Sequence, residues 1–470
     1  MRPTLHLARE QLTPVFRRLG ALGPVSAPQL AQALDISPRT ALRVLQEHRE
    51  SIVAAGKAGR RRYALRQSLR GRTSALPVYA VDAGGQVREA GAFSLLQPQG
   101  SFWNLAALGW PTGDETASGW WPGLPYPLLD MAPQGFLGRS FARLHHAALD
   151  VPADPRAWDD ADICHVLASS GADCSGHLML GERSLAQFQA RLVAPTDPLP
   201  ADQRGAAYAA LAQQAVESGL AGSSAAGEFP KFTASRDGGP GSATPHVIVK
   251  FSAPLSAEAG EAPTAASRWA DLLRSEAQAL RLLPQLEGLA AARAEVLSHA
   301  GRVFLELERF DRQGLFGRTP LVSLSALGDH LLGLAAKDWR AQADALAALG
   351  LLQPAQQDAV RRLWWFGQLI ANTDMHGGNL SFVPGHGVLA LAPVYDMLPM
   401  AYAPLPGGEV PQTRWQFAPP PPAERSHWHT ACRVALAYWA ALQDDMALSA
   451  HWRQIAAHNH SALAVLAGRV

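Results

Sequence analysis

The sequence predicts an α+β, multidomain protein: an N-terminal winged helix-turn-helix, a small β-rich subdomain, and a bilobal body with an all-α C-terminal lobe. Three observations lead there. The chain has 470 residues, too many for one hydrophobic core and a length suited to about three domains. Residues 1–72 hold fourteen Lys and Arg against four Asp and Glu, a surplus of +10 that leaves −9 on the rest of a chain whose net charge is +1. Beyond residue 230, a lysine, a glutamate, an Asp-His-Asn loop and a second aspartate follow one another with strand and helix patterns between them. The expected boundaries are 1–70, 75–150, 151–315 and 316–470.

Composition narrows the classes further. With 48% hydrophobic and 17% charged residues the chain is neither disordered nor fibrous. Its apolar runs fall short of the roughly 18 residues a membrane span needs. The stretch "MRPTLHLAREQLTPVF" has no apolar centre followed by a small-residue cleavage site, so no signal peptide is expected. Cys164, Cys174 and Cys432 are odd in number and far apart, which argues against a disulfide framework and for a reducing, cytoplasmic setting. Cys164, His165 and Cys174 lack a fourth ligand at zinc spacing.

In the basic front end, "LTPVFRRLGAL" is apolar at helical spacing and stops at glycine. "SAPQLAQALDI" starts with Ser26 as N-cap and Gln29 three residues on, the spacing of a capping box. Ser37 and Pro38 open a further helix, "SPRTALRVLQEH". Two short helices joined by a tight turn are the helix-turn-helix pattern, and "SIVAAGKAGRRRYALR" adds strand, glycine turn and strand as a wing. Exposed Arg39, Thr40 and Arg43 are then expected in a major groove of double-stranded DNA, with Lys57, Arg60, Arg61 and Arg62 against phosphates. The competing reading is a three-helix protein-interaction module with a solvated basic hairpin.

Residues 77–98 alternate like short strands around a glycine turn. "AGSSAAGEFPKFTASRDGGPGSATP" (221–245) is a flexible loop by composition; its glycines, serines and lysine also suit a phosphate, without the G-x-x-x-x-G-K-[ST] spacing.

The stretch "ANTDMHGGNLSF" (371–382) places Asn379 five residues after Asp374, the D-x-x-x-x-N spacing of a kinase catalytic loop. "LSFV", "PGHG" and "VLALAPVYD" then give strand, turn and strand, ending at Asp396, a second metal ligand. Upstream, "HVIVKFS" ends a β-branched run at Lys250, and the amphipathic "RWADLLRSEAQALRLL" carries Glu276 to hold that lysine. "RVFLELERFDR" (302–312) fits the strand that crosses to the second lobe. Phosphoryl transfer needs placed charge more than covalent help, which explains these residue types: Lys250 for the α/β-phosphates, Asn379 and Asp396 for Mg²⁺, Asp374 for the attacking hydroxyl. A protein-kinase-like body follows. Reading "DMH" as half of a binuclear phosphoesterase fails because no G-N-H-[DE] comes after it.

"NTDMHGGNLSF", "LAPVYDM", "ERFDR", "VIVKF" and "SAAGEFPKFT" together resemble the HipA family of serine/threonine kinase toxins over roughly residues 77–470. The basic front end resembles that of its YjjJ-like branch. The resemblance implies a toxin of a toxin–antitoxin system using ATP and Mg²⁺, with an aminoacyl-tRNA synthetase as protein substrate, and an antitoxin or a second copy of the chain as further partner. It implies that Ser224, with Ser223 beside it, is the autophosphorylated serine and that Lys231 meets ATP phosphates. It makes Glu308 and Phe310 the adenine hinge, Asp374, His376 and Asn379 the catalytic set, and Asp396 the Mg²⁺ aspartate. Two positions depart from the family. Gly378 stands where a lysine is common, and losing that cation beside the phosphoryl group slows transfer or changes the substrate. Glu228 puts a carboxylate in the phosphate loop. A second function class follows from these two: a DNA-binding regulator whose kinase-like body binds nucleotide or a partner with little catalysis. The proline-rich stretch 405–428 is expected as a surface loop, and the His- and Trp-rich helices beyond it as core and surface.

Overall fold

The computed structural model describes residues 5–20, 23–217, 229–255, 262–333 and 338–470. At the front, α1 (Leu5–Gly20), α2 (Ala27–Ala33) and α3 (Pro38–Glu47) enclose a small core of Leu12, Phe16, Leu30, Leu34 and Val44. The capping box is present: the Ser26 amide donates to Gln29 Oε1 at 2.8 Å, and the Gln29 amide donates to Ser26 Oγ at 3.4 Å. Ser37 caps α3 by accepting from the Thr40 amide at 3.1 Å. A hairpin of β1 (Ile52–Ala55) and β2 (Arg62–Arg66) follows.

That hairpin does not stand free. In the middle of the chain β3 (Leu76–Val81) and β4 (Val87–Gln97) pair antiparallel, and β2 joins them through the pairs Leu65↔Gln97 and Arg66↔Leu96. Val53, Ala64 and Leu96 pack across the seam, and Arg17 Nε donates to Gln97 Oε1 at 3.1 Å. Two short strands, β5 (Ser101–Phe102) and β6 (Trp120–Trp121), extend β4 laterally. Three helices follow: α4 (Tyr126–Met131), α5 (Gly135–Leu149) and α6 (Asp160–Ser170). Then β7 (Leu178–Leu180) closes the far edge against β3, giving the order β1-β2-β4-β3-β7. The β-rich unit therefore takes a strand from well past residue 150, because β3 needs a partner on the side away from β4.

The body begins after α7 (Gly181–Val193) and α8 (Arg204–Glu217). Its first sheet is antiparallel in the order β10-β11-β9-β8, built from β8 (Lys231–Ser235), β9 (His246–Phe251), β10 (Ala294–His299) and β11 (Arg302–Glu308). Between β9 and β10 runs α9 (Ala265–Leu282), capped by Thr264, whose hydroxyl accepts from the Ser267 amide at 3.1 Å. The seven residues of β11 are all buried, so it is the central strand of this lobe.

The second lobe is not all-α. After the ribbon of β12 (Arg312–Gln313) and β13 (Gly317–Arg318), β14 (Val322–Ser323) leads into α10 (Leu324–Leu327). The helices α11 (Trp339–Ala348) and α12 (Pro354–Leu369) precede β15 (Ser381–Gly385) and β16 (Val388–Leu391), which form a three-stranded sheet with β14. The hairpin follows directly on the polar loop that leaves α12 and leads the chain on toward Asp396. Residues 409–421 have no regular structure, although Trp415 turns inward and donates to the Gln368 carbonyl at 3.2 Å. The final helices are α13 (Arg425–Asp444) and α14 (Ala450–Ala467). They bury Trp428, Trp439 and Trp452 completely, as expected of a tryptophan-rich core. Among the described residues no helix is long and apolar enough to cross a membrane.

Candidate active site

Lys250 sits one residue before the end of β9, directly opposite Lys231 of β8 in the antiparallel register. Its Nζ donates to both oxygens of Glu276 on α9 at 2.7 Å and also contacts the carboxylate of Asp396. The Lys250 side chain is 4% exposed and Glu276 0%, so this is a fully enclosed ion pair. Such a pair survives burial only when the geometry is good and more than one partner compensates the lost hydration. Burial works to lower the lysine, but the Asp396 and Glu276 carboxylates outweigh it and push Lys250 up to about 12. Burial acts first on Glu276 and, with the like charge of Asp396, raises it despite Lys250. Asp396 is held below its ordinary range: burial opposes this, and Lys250 and Lys231 overcome it.

The loop that sequence spacing singled out lies beside this cluster. After α12 ends, Ala371 turns the chain with φ 60°, and Asp396, five residues past the end of β16, does the same with φ 52°. Left-handed backbone is costly for residues with a Cβ, and it persists where surrounding contacts enforce it, often at functional sites. Asn372 is the enforcing contact. Its Oδ1 accepts from the Asp374 amide at 3.0 Å, and its Nδ2 donates to the Asp396 carbonyl at 3.4 Å, tying loop to strand. Asn379 Nδ2 donates to the Asp374 carbonyl at 2.8 Å, so the amide oxygen is the end left to face a cation. Asp374 is 51% exposed, and His376 Nε2 stands 3.9 Å from its carboxylate. His376 also accepts from the Gly378 amide through Nδ1 at 3.1 Å, while its carbonyl accepts from Trp339 Nε1 at 3.1 Å. Tyr395 donates to the Gly378 carbonyl at 2.7 Å and stacks on Phe310, ring centroids 5.6 Å apart.

The structure thus brings Lys231, Lys250, Glu276, Asp396, Asp374, His376 and Asn379 to one region, with Phe310 adjoining through Tyr395. Glu308 behaves differently. Its carboxylate accepts from Ser242 Oγ at 2.6 Å, the Ala243 amide at 2.7 Å and Arg236 at 3.2 Å, so it braces the neighbouring loop. The Glu308 amide donates to the Arg293 carbonyl at 2.9 Å, which leaves the Glu308 carbonyl for a ligand. Ser223, Ser224 and Glu228 lie outside the described residues. Sequence reasoning missed Asn372 and Tyr395. It also missed the buried network behind the hinge, where Asp311 takes Arg309 at 2.9 Å and Arg312 at 2.7 Å while Asp173 takes Arg312 at 2.7 Å. Asn372 stands two residues before Asp374, at the start of the quoted loop, and Tyr395 directly before Asp396; nothing local marks the Asp173, Arg309, Asp311 and Arg312 network.

On the front end Arg39, Arg43, Lys57, Arg60 and Arg61 are exposed. Thr40 and Arg62 are only half-exposed, and the Thr40 hydroxyl lies 2.8 Å from Ser37 Oγ within the helix cap. Thr40 is therefore a capping residue before it is a groove contact.

Among the described residues no cluster of three or more His, Cys, Asp and Glu is set to hold a metal by itself. The donors Asn379 Oδ1 and the Asp396 carboxylate are hard oxygens, few in number. That set fits Mg²⁺, which keeps water and substrate phosphates as its remaining ligands.

Two family models match the chain: a YjjJ-like toxin middle domain over residues 72–189 and a HipA-like C-terminal domain over residues 223–463. The toxin YjjJ of Escherichia coli (strain K12) is 36% identical over 437 residues, covering 92% of this chain and 94% of that one. The chain belongs to the HipA family, in its YjjJ-like branch. Among solved structures, the HipA chain from the Shewanella oneidensis MR-1 HipA, HipB and operator DNA complex superposes with TM-score 0.48 at 15% identity, over 86% of this chain and 96% of that one. The Helicobacter pylori proinflammatory kinase CtkA gives TM-score 0.35 at 12% identity, over 52% and 91%. The HipA-like C-terminal domain contains every residue of the Lys250, Glu276, Asp374, Asn379 and Asp396 set.

Proposed function

We propose that this HipA-family protein is a Mg·ATP-dependent serine/threonine protein kinase that acts as a toxin and carries a DNA-binding domain in the same chain. The observation that carries it is Lys250 held between Glu276 and Asp396, beside a loop on which Asn372 and Asn379 fix the Asp374 backbone. Bound Mg·ATP would supply the transferable phosphoryl group and a cation to neutralise its charge. Lys250 and Lys231 would meet its phosphate oxygens, and Asn379 and Asp396 would hold the cation. Asp374 orients the attacking hydroxyl and takes its proton, with His376 on the phosphate side. Phe310 and the Glu308 backbone form the adenine hinge. Ser224 is the autophosphorylation site, and a translation protein such as an aminoacyl-tRNA synthetase is the substrate, in the cytoplasm, restrained by an antitoxin or by self-association.

With radiolabelled ATP and Mg²⁺ the wild-type chain should label itself at Ser224 and label a protein in a bacterial lysate, while Asp374→Ala should not. Incorporation no higher than that of Asp374→Ala removes the kinase reading.

The front end reads DNA through Arg39 and Arg43, with Lys57, Arg60, Arg61 and Arg62 on phosphates and Thr40 at the helix cap. Its affinity should fall linearly in log–log form with salt, and Arg43→Ala should weaken it. A second reading is favoured by Gly378, which leaves the loop without the family's cation: a DNA-binding regulator with little catalysis. In that case Asp374→Ala leaves cellular phenotypes intact and Arg43→Ala abolishes them. The reverse pattern removes it.

A further inference from the structure

A cavity of about 450 Å³ lies where the front end meets the middle sheet and shares no lining residue with the kinase site. One wall is the flank of α3, with Leu42, and the turn after it, with Arg49; Ile52, Phe102, Arg61 and Arg66 line the rest. Its size falls within the range of small-molecule sites, which are mostly apolar with a few convergent polar groups. Among the described residues three arginines line it and no Asp or Glu does. Arg66 makes the asymmetry chemical. Half-buried, it donates through Nε to Ser94 Oγ at 3.1 Å and through its terminal nitrogen to the carbonyls of Thr73, at 3.3 Å, and Glu50. Those partners are a hydroxyl and two carbonyls, so the guanidinium loses hydration without an anion in return, and burial lowers its pKa. A charge in that position is completed by an anion from outside.

We propose that this cavity binds a small amphipathic anion, an aromatic or aliphatic body bearing one carboxylate, sulfonate or phosphate. The body rests on Ile52, Phe102 and Leu42, and the anionic end meets the arginines. Leu42, Leu45 and Gln46 face the cavity from α3, while Arg39 and Arg43 lie about 60° and about 100° around the helix from Leu42. A bound ligand would therefore touch the DNA-reading helix from the side without covering its outer face, a consequence that rests on the DNA reading above.

The test is calorimetric titration of the full chain with 4-phenylbutyrate and 8-anilinonaphthalene-1-sulfonate, with 4-phenylbutanol as the uncharged control. Saturable single-site binding of an acid is expected, with the alcohol weaker by about tenfold or more, the value of a charge-assisted hydrogen bond. Ala92→Trp, which fills the cavity from an exposed position on β4, should abolish binding. Where that variant fails to fold, Arg49→Gln with Arg61→Gln, both exposed, should weaken binding by about tenfold. Absence of saturable binding by either acid, or binding that survives these changes, overturns the proposal. A gel shift of the wild-type chain on DNA is scored separately: failure there removes the DNA reader, whereas failure of the titration removes the site.

Discussion

Replacing Glu276 by glutamine keeps the shape of the buried pair and deletes one charge. Lys250 rises from its ordinary 10.5 to about 12 although burial pulls it down, so the two carboxylates together supply at least about 2 kcal/mol of preference for the charged lysine. Glu276→Gln removes one of the two, forfeiting on the order of 1 kcal/mol of that attraction. The lysine is then left with Asp396 as its single full counter-charge, and Asp396 is the carboxylate the cation needs. Competition between Lys250 and Mg²⁺ for Asp396 should therefore increase. The Mg²⁺ concentration giving half-maximal autophosphorylation is expected to rise about fivefold, the equivalent of about 1 kcal/mol. Initial rates over a magnesium series at saturating ATP measure it, with thermal melting of the apo protein as a check on folding; the melting temperature should fall as well. If both the magnesium midpoint and the melting temperature match wild type, the Lys250, Glu276 and Asp396 coupling described above is wrong.

Three further outcomes are expected. Gly377→Ala would set a Cβ 2.8 Å from the Ser325 amide nitrogen and 3.0 Å from its Cα, so the catalytic loop must move; a loss of about 1–3 kcal/mol in urea unfolding and a fall in phosphorylation rate should appear together. Asp311→Asn leaves the buried Arg309 and Arg312 with Asp173 alone, costing about 3–5 kcal/mol, read from the denaturation midpoint. His177 is pushed down to about 4 by burial, with help from Arg88 and Arg318, so it stays neutral in the fold while the unfolded chain protonates near pH 6.5. Stability supplied by that neutral ring is lost as pH falls from 6.5 toward 4, up to roughly 3 kcal/mol, and His177→Phe, which keeps the stack on Trp110, should flatten this part of the difference curve.

How much of this was legible in the sequence depended on distance along the chain. Asp374 and Asn379 are five apart, and the loop-hairpin-aspartate order needs no knowledge of packing, so the grouping of this loop with Asp396 could be anticipated from spacing. Lys250 and Glu276 were legible because a β-branched strand and an amphipathic helix carry them. Caps at Ser26 and Ser37 were equally local. The Asp173, Arg309 and Arg312 network joins residues about 136 and 139 positions apart, and no periodicity records such a meeting. The hairpin of β15 and β16 was legible at "LSFV" and "VLALAPVYD" although the lobe as a whole was expected to be all-α, whereas the two residues of β14 leave no alternation to detect. Glu308 was placed at the hinge by its neighbours in sequence, whereas Arg236 and Ser242, which engage its carboxylate, come from a different loop.

The pairing of β2 with β4 bears on how such a protein can be assembled and exchanged. A module hung on a flexible tether can be traded for another with little adjustment, since the tether absorbs any mismatch. Here the basic front end is sewn in by backbone hydrogen bonds and by the Val53, Ala64 and Leu96 contact, so a replacement must match strand register and side-chain fit at once. Two copies seated on neighbouring stretches of a duplex would hold their bodies at a fixed angle and spacing, written into one strand register and independent of linker length.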